Sequence, residues 1–528
     1  MDHPMNMPPP EGMTPQSLDP REAGQWEPIQ HHFRWLPVHT ALLHTGKVLA
    51  FGGSANDRQN LKRPNPAELF DPVAGTVTTV NQSLSADPFC SGHCFLPDGR
   101  LLVAGGTRNY DVQRFNKVPL PPFTGHPQVF LFDPLSECWT RAPDMGNSRW
   151  YPSLIALGDG TVVAFAGLSG GPPWVFSRTI ETYSSRTGWA RLDNAERWLP
   201  LYPRVHLMPD ARILYAGSYN THITFPFTVK GFPTGTLDVR TRLWNDIGLP
   251  KQSEREEGTT TLLTFTPPEY AARVLLAGGG LPQGTEAIAS AEILDYSAPD
   301  PVWRAVSSMA HARYHCYSVL LPDRTVLLFG GKSGPHKGMA MGDMPPGSPP
   351  PQDADAVRQP EIFDPATEDW RPAPDMAVDR VYHSGGLLLP DGRVITTGSN
   401  PAPGQNELRI EIYRPAYLYA SARPEIVHSP YEISNGDEFT IEVSSASPID
   451  VVSLMRQAST THCFSTDQRA VELEFTAVGR RLRVRVPENV NLLPPGWYML
   501  FVLSQSVPSV AKFVQVSCRL PPGTNVQR

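Results

Sequence analysis

One pattern recurs along most of this chain: an apolar run, a turn, a second apolar run, and then a glycine or a glycine pair. We count seven copies, which begin 50 to 68 residues apart. They span residues 39–53, 89–106, 150–167, 201–217, 259–279, 314–331 and 382–398. A repeat of this length is a supersecondary unit that cannot bury its own hydrophobic face, so neighbouring copies must pack against one another. This periodicity constrains the fold more than any other feature of the sequence.

Each copy is interpreted as a β-hairpin. Asp-Gly dipeptides, which favour a two-residue type I′ turn, separate the apolar runs at Asp98-Gly99, Asp159-Gly160 and Asp391-Gly392. Segments between the copies, such as residues 128–145, supply two further strands around a turn. Four strands per unit, with a glycine pair and a nearby Trp, resemble the kelch repeat. Radial repetition protects the strand edges, so the sequence predicts a seven-bladed β-propeller.

The predicted chain is all-β and has three parts. Residues 1–30 form a Pro- and Met-rich tail, and residues 31–414 form the kelch-type propeller. Residues 415–528 contain short segments in which apolar and polar residues alternate, without the glycine pair. This pattern indicates a small immunoglobulin-like β-sandwich. Residues 332–357 are an insertion in the sixth blade, interpreted as a mobile loop, although its methionines and His336 are also suitable ligands for soft copper.

Composition excludes several classes of protein. Lys and Arg number 45 against 52 Asp and Glu, and no block of like charge occurs, so nucleic acid and anionic membranes are poor partners. No apolar run is long enough to span a membrane, and the start shows no secretory signal. The six cysteines are scattered, which favours reduced thiols over a disulfide scaffold. We expect a monomer without a membrane span, cytoplasmic unless it is exported by another route.

The repeat also predicts which side chains meet near the propeller axis. Counting back eight positions from the turn Asp in five copies gives Cys90, Tyr151, Tyr202, His315 and His383, and Tyr382 stands beside the last of these. Equivalent positions of different blades should lie at a similar height around the axis. Imidazole nitrogen with phenolate oxygen suits tetragonal Cu(II), but the same side chains are also compatible with ordinary channel lining. The repeat alone leaves both interpretations open.

Four separated segments resemble the copper-site motifs of the galactose oxidase and glyoxal oxidase family of copper radical oxidases. They are Phe89-Cys90, Arg149-Trp150-Tyr151, Arg380-Val381-Tyr382-His383-Ser384 and the nine residues from Thr461 to Arg469. The resemblance covers the propeller and the sandwich and is closer to the glyoxal oxidase branch. It implies that Tyr151 is a copper ligand joined by a thioether to Cys90, that Tyr382 is the axial ligand, and that His383 and His462 are the imidazole ligands.

The resemblance further implies one copper ion and a self-derived Cys90-Tyr151 radical cofactor. Cys90, Tyr151 and Tyr382 are then the catalytic residues. The implied reaction is oxidation of a small aldehyde or primary alcohol by O2, with release of hydrogen peroxide. Relatives in the family are usually extracellular or attached to the cell surface.

The chain departs from the family pattern at the Trp that stacks on the cross-linked Tyr in galactose oxidase. Leu168 occupies the corresponding segment, and His336 and Trp174 are replacements by position only. His315 and Tyr202 are expected beside the ligands, where they contact substrate or line the channel. Two alternatives to a working oxidase follow: a kelch propeller that binds a protein or glycan without redox chemistry, and a degenerate oxidase that binds copper but does not turn over.

Overall fold

The structure, a computed structural model, is almost entirely β. It describes residues 18–55, 65–109, 114–115, 118–119, 124–169, 176–217, 232–253, 255–281, 286–334, 355–400, 405–420, 422–444 and 447–518. Trp174, His336 and residues 335–354 of the predicted sixth-blade loop lie outside these ranges. No helix in the described part of the chain is long and apolar enough to cross a membrane.

Seven antiparallel sheets, which we number as blades 1 to 7 in chain order, form the propeller predicted from the repeat. In each blade the first strand is the innermost. Blade 1 consists of His39–Leu42, Val48–Phe51, Ala67–Asp71 and Thr76–Thr79. Blade 2 consists of Gly92–Phe95, Leu101–Ala104, Val129–Asp133 and Cys138–Ala142. Blade 3 consists of Ser153–Ala156, Val162–Phe165, Glu181–Ser184 and Gly188–Arg191.

The remaining four blades repeat this plan. Blade 4 consists of Val205–Leu207, Ile213–Tyr215, Thr234–Asp238 and Leu243–Gly248. Blade 5 consists of Thr259–Leu262, Arg273–Ala277, Ala291–Asp295 and Trp303–Val306. Blade 6 consists of Tyr317–Leu320, Val326–Phe329, Glu361–Asp364 and Asp369–Pro372. Blade 7 begins with Ser384–Leu388, Val394–Gly398 and Arg409–Arg414.

Blade 7 is completed by the N-terminal part of the chain, and its strand Gln25–Trp26 lies within the predicted tail of residues 1–30. Gln25–Trp26 pairs with Arg414 and Tyr413, and His31–His32 pairs with the same third strand at Ile410 and Arg409. The Trp26 indole Nε1 also donates a hydrogen bond to the Pro374 carbonyl at 2.7 Å. Strands of two residues are too short to show an alternating pattern, which is why the sequence did not reveal them.

A hairpin of the C-terminal domain inserts beside the innermost strand of blade 1. Its strands are Ser459–Thr461 and Phe464–Ser465, and Thr460 pairs with Thr40. The two residues at its tip, His462 and Cys463, have φ of 44° and 66°. A two-residue turn with both residues at positive φ is a type I′ turn, which Asn-Gly normally forms. The hairpin therefore holds His462 and Cys463 in an unusual backbone conformation at the propeller axis.

The rest of the C-terminal domain is a sandwich of two sheets. One contains Glu425–His428, Glu438–Ser444, Arg481–Arg485 and Glu474–Val478. The other contains Glu432–Ser434, Lys512–Ser517, Gly496–Ser504, Val451–Arg456 and Ala470–Glu472, with Val507–Pro508 on Gly496–Ser504. Their inner faces share a buried apolar cluster that also includes Leu262, Phe265 and Val274 of blade 5. This shared core joins the sandwich to the propeller.

A few short elements lie outside these sheets. Thr107–Asn109 pairs with Thr124–Gly125, and Arg114–Phe115 pairs with Val118–Pro119, between the second and third strands of blade 2. The described helices include the short α-helix Pro20–Ala23 and the 3₁₀ turn Ala416–Tyr419.

Four buried ion pairs recur in blades 3, 5, 6 and 7. In each, an Arg that precedes the innermost strand contacts a Glu at or near the start of the third strand, at N–O distances of 2.7 to 3.2 Å. The pairs are Arg149–Glu181, Arg255–Glu292, Arg313–Glu361 and Arg380–Glu411. All eight side chains are at most 3% exposed. These pairs anchor the segments that lead into the propeller axis.

Candidate metal centre

The segments entering the innermost strands place one residue of each of blades 2 to 7 in the left-handed backbone region. These residues are Cys90, Tyr151, Tyr202, Glu257, His315 and His383, with φ between 44° and 64°. Each lies one to three residues before its innermost strand. Non-glycine residues in this region are strained, and such strain persists only where the surroundings enforce it. Five of the six are the positions that the repeat predicted.

Glu257 of blade 5 is the ring residue that the sequence prediction missed. The fifth copy has no turn Asp, because Pro267-Pro268-Glu269 occupies that place. The spacing from the buried Arg would have revealed it, since Arg255 precedes Glu257 by two residues, as Arg149 precedes Tyr151. Blade 7 has one residue more between Arg380 and its ring residue, and this extra residue is Tyr382.

The structure brings Tyr151, Tyr382, His383 and His462 together. The His462 ring centroid lies 4.8 Å from those of Tyr151 and His383 and 5.4 Å from that of Tyr382. The hydroxyls of Tyr151 and Tyr382 share a short hydrogen bond. Cys90 lies in the same cluster, because its Sγ is 3.7 Å from His462 Nε2 and ligand atoms of Cys90, His383 and His462 all lie within 4.8 Å of one another.

Thr461 orients the imidazole of His462. Its hydroxyl donates to the Val38 carbonyl at 3.3 Å, so its oxygen is available to accept a hydrogen bond from His462 Nδ1 at 2.6 Å. A histidine that donates from Nδ1 keeps the lone pair on Nε2. The nitrogen that faces Cys90 is therefore the one suited to bind a metal ion.

Two aromatic rings stack on Tyr151. The Trp150 ring lies 4.0 Å away at an interplanar angle of 8°, and the Tyr202 ring lies 4.5 Å away at 29°. The Trp150 Nε1 donates to Thr107 Oγ1 at 3.1 Å, and the Tyr202 hydroxyl donates to the Ser91 carbonyl at 2.7 Å. The positive φ of Tyr151 turns the two neighbouring side chains face to face, which spacing along the sequence does not suggest. Trp150 thus supplies the stacked indole, a role for which the sequence suggested only Trp174 and His336.

Leu168 packs in the same apolar cluster as Trp150 and Tyr151, and its backbone pairs with Trp150.

Burial sets the protonation of the cluster. Burial, together with Cys90 and Tyr382, raises the pKa of the Tyr151 phenol well above its ordinary value. Burial also raises the pKa of Tyr382 and of the Cys90 thiol. These groups therefore hold their protons at neutral pH, and a metal ion that binds them must displace those protons.

Two further imidazoles, His39 and His93, lie beneath the cluster on the innermost strands of blades 1 and 2. The His39 ring is 6.1 Å from His462 and 5.2 Å from His93. Burial, reinforced by His93 and His383, lowers the pKa of His39, and burial lowers the pKa of His93 to about 3. Both rings are neutral at physiological pH, so they place no positive charge beside a bound cation.

His315 also lies beside Tyr382, with ring centroids 4.8 Å apart. Its Nδ1 is 3.5 Å from Glu257 Oε2, and the Cys463 thiol is 3.7 Å from the same oxygen. His315 thus lies beside the candidate ligands, as predicted. It also forms a second cluster with Glu257 and Cys463, which the sequence did not reveal.

The comparisons with known proteins agree with this architecture. The galactose oxidase-like early set domain matches residues 423–516, which is the C-terminal sandwich. Galactose oxidase of Gibberella zeae is 29% identical over 530 residues, covering 94% of this chain and 71% of that protein. The aldehyde oxidase GLOX of Vitis pseudoreticulata is 27% identical over 556 residues, covering 93% of this chain and 97% of that protein. This chain is a homologue of galactose oxidase and of aldehyde oxidase GLOX.

A WSC domain-containing protein of Arthroderma benhamiae is 28% identical over 454 residues, and the chain spans 46% of its length. A solved fungal alcohol oxidase of the AA5 family, in complex with copper, has a TM-score of 0.76 and 23% identity, and covers 94% of this chain and 100% of its own. The family resemblance and the all-β fold class predicted from the sequence are confirmed.

Proposed function

We propose that this protein is a mononuclear copper radical oxidase that oxidises a small aldehyde or primary alcohol with O2 and releases hydrogen peroxide. The observation that carries the proposal is the convergence of the Tyr151 and Tyr382 hydroxyls with the imidazoles of His383 and His462, beside the Cys90 thiol. The names of the homologues support oxidation of an alcohol or aldehyde carbon in general and do not select between these substrates.

The donor set fits copper. Two phenol oxygens and two imidazole nitrogens are the mixture that Cu(II) prefers, whereas magnesium prefers carboxylate and water oxygen. The site is buried, because Tyr151, Tyr382, His383 and His462 are each at most 3% exposed. These four residues would hold the ion, and Cys90 would remain free to join the Tyr151 ring.

Removal of two electrons from an alcohol carbon requires a second redox group beside a one-electron metal. A thioether between Cys90 and the Tyr151 ring would supply it, since the electron-donating sulfur lowers the oxidation potential of the phenol. Copper, when bound, supplies the other one-electron couple and the reaction with dioxygen. Trp150 and Tyr202, stacked on Tyr151, keep water away from the ring and fix its plane.

Tyr382 and Tyr151 would then each remove one hydrogen from the substrate. The Tyr382 oxygen would accept the hydroxyl proton after metal binding has displaced its own proton, because only the phenolate form can act as a base. Tyr151, in its oxidised cross-linked form, would accept a hydrogen atom from the substrate carbon, and the remaining electron would go to the copper couple. Overall the substrate loses two hydrogens, and dioxygen gains them as hydrogen peroxide.

The decisive experiment is intact-mass measurement after copper loading in air. Formation of the thioether removes one hydrogen from the Cys90 thiol and one from the Tyr151 ring, so the mass falls by about 2 Da, the weight of the two hydrogens. The loss should vanish in Cys90→Ala and persist in Cys94→Ala, a matched control because both thiols are fully buried. An unchanged mass in the parent protein would rule out the radical mechanism.

Peroxide release separates the proposed oxidase from its alternatives. Glyoxal, methylglyoxal, galactose and simple alcohols form a suitable panel of substrates. A protein that forms the cross-link but releases no peroxide with any of them is the degenerate oxidase considered above. A protein with neither cross-link nor peroxide is the non-catalytic binding propeller.

A further inference from the structure

The ring of left-handed residues around the axis divides into two clusters of potential ligands. Cys90 and His383 belong to the cluster described above, and Glu257 and His315 belong to a second one. The hairpin from the sandwich completes both, because its consecutive tip residues His462 and Cys463 contribute one ligand to each. We propose that Glu257, His315 and Cys463 bind a second metal ion, a divalent ion of the zinc type.

The donor set suits zinc. Thiolate, imidazole and carboxylate are its three common protein ligands, and three such ligands with a fourth open position are a frequent arrangement. Glu257, His315 and Cys463 are each at most 1% exposed. Their ligand atoms lie within 4.8 Å of one another, close enough to share a single ion.

The separations between these atoms also match zinc. With bonds of about 2.3 Å to sulfur and about 2.0–2.1 Å to nitrogen and oxygen, tetrahedral angles place sulfur about 3.6 Å from oxygen, and nitrogen about 3.4 Å from oxygen. Cys463 Sγ is 3.7 Å from Glu257 Oε2, and His315 Nδ1 is 3.5 Å from the same oxygen. Two of the three separations therefore match those of a zinc site, and the third, between the Cys463 and His315 donors, is at most 4.8 Å.

The ion would stabilise the contact between the propeller and the sandwich. Glu257 belongs to blade 5, His315 to blade 6 and Cys463 to the sandwich, so one ion would join three parts of the fold. Zinc has no redox chemistry of its own and would not exchange electrons with the neighbouring Tyr151 and Tyr382. The second site does not depend on the proposed oxidase activity.

Cobalt binding tests the proposal on the full chain. Cobalt(II) substitutes for zinc, and a bound thiolate adds a charge-transfer band in the near ultraviolet that nitrogen and oxygen ligands do not give. The host is Cys90→Ala, because this substitution removes the thiol of the first cluster. After metals are stripped with a chelator, we expect this protein to show the band, and to retain it when Cys94→Ala is added as the control.

Addition of Cys463→Ala should abolish the band, and addition of Glu257→Gln should weaken cobalt binding at least about tenfold while the thiol is kept. Native mass measurement with zinc should give one bound ion more in the parent than in Cys463→Ala. Thermal unfolding checks that each variant folds, and Glu257→Gln decides the question if Cys463→Ala does not fold. Absence of the band in the host, or its persistence without Cys463, would overturn the proposal. Either result leaves the cross-link experiment at Cys90 unaffected.

Discussion

Replacement of Arg255 by Met tests whether the repeated buried ion pairs hold the axis of the propeller. The Arg255 guanidinium is fully buried and donates to the Gly278 carbonyl at 2.5 Å, to Ser290 O and Oγ at 2.9 Å each, and to Glu292 Oε1 at 2.9 Å. Met has a similar length but donates nothing, so Glu292 keeps its charge without the cation. Loss of one partner of a buried pair costs about 3–5 kcal/mol.

The matched control is Arg481→Met. Arg481 pairs with Glu442 at 2.8 Å, but the two side chains are 73% and 39% exposed. Exposed pairs contribute about 0–1 kcal/mol, so this variant should unfold almost like the parent. Arg255→Lys should fall between the two, because a lysine keeps the charge but lacks the planar fork of donors.

Equilibrium urea unfolding, followed by tryptophan fluorescence, measures the difference in the free energy of unfolding. Arg255→Met should be at least about 2 kcal/mol less stable than Arg481→Met, the gap between the two ranges. Equal stabilities of the two variants would refute the role assigned to the four Arg–Glu pairs. If Arg255→Met does not fold, the difference between Arg255→Lys and Arg481→Met measures the same effect on a smaller scale.

Three other predictions concern stability. Burial raises the pKa of Asp467 to about 6 from the ordinary Asp value of about 4, so its contribution to stability is greatest below about pH 4 and falls by about 3 kcal/mol as the pH rises through 6; Asp467→Asn should flatten this part of the pH dependence in thermal unfolding. Gly99→Ala should lower the melting temperature more than Gly46→Ala, because both glycines have positive φ but only a Cβ on Gly99 would meet Trp497, at 2.6 Å; equal losses would contradict this. Trp26→Ala should cost about 2 kcal/mol in urea unfolding, since it removes the hydrogen bond to Pro374 and the ring contact with Tyr413; an unchanged midpoint would show that the N-terminal strand does not close blade 7.

The sequence alone was sufficient to predict the blades and most of the ring. Each repeat carries its own turn residues and apolar runs, so local information predicts its hairpin. Equivalent positions share one backbone environment in a symmetric fold, which is why counting from the turn Asp identified Cys90, Tyr151, Tyr202, His315 and His383. The motif resemblance added Tyr382 and His462. Where the turn signal is missing, in blade 5, the count failed and Glu257 was overlooked.

The tertiary structure decided what the repeat does not encode. Trp150 stacks on Tyr151 because the backbone of Tyr151 is left-handed, and the N-terminal strand at Gln25–Trp26 joins blade 7 through pairing across the whole chain. Cys463, interpreted from the sequence as an ordinary thiol, reaches Glu257 and His315 because the sandwich hairpin enters the axis. The sequence by itself determined the repeating units and the residue types around the axis, since these depend on local periodicity. Only the folded chain determined which of them meet, because those contacts join segments that lie far apart in the sequence.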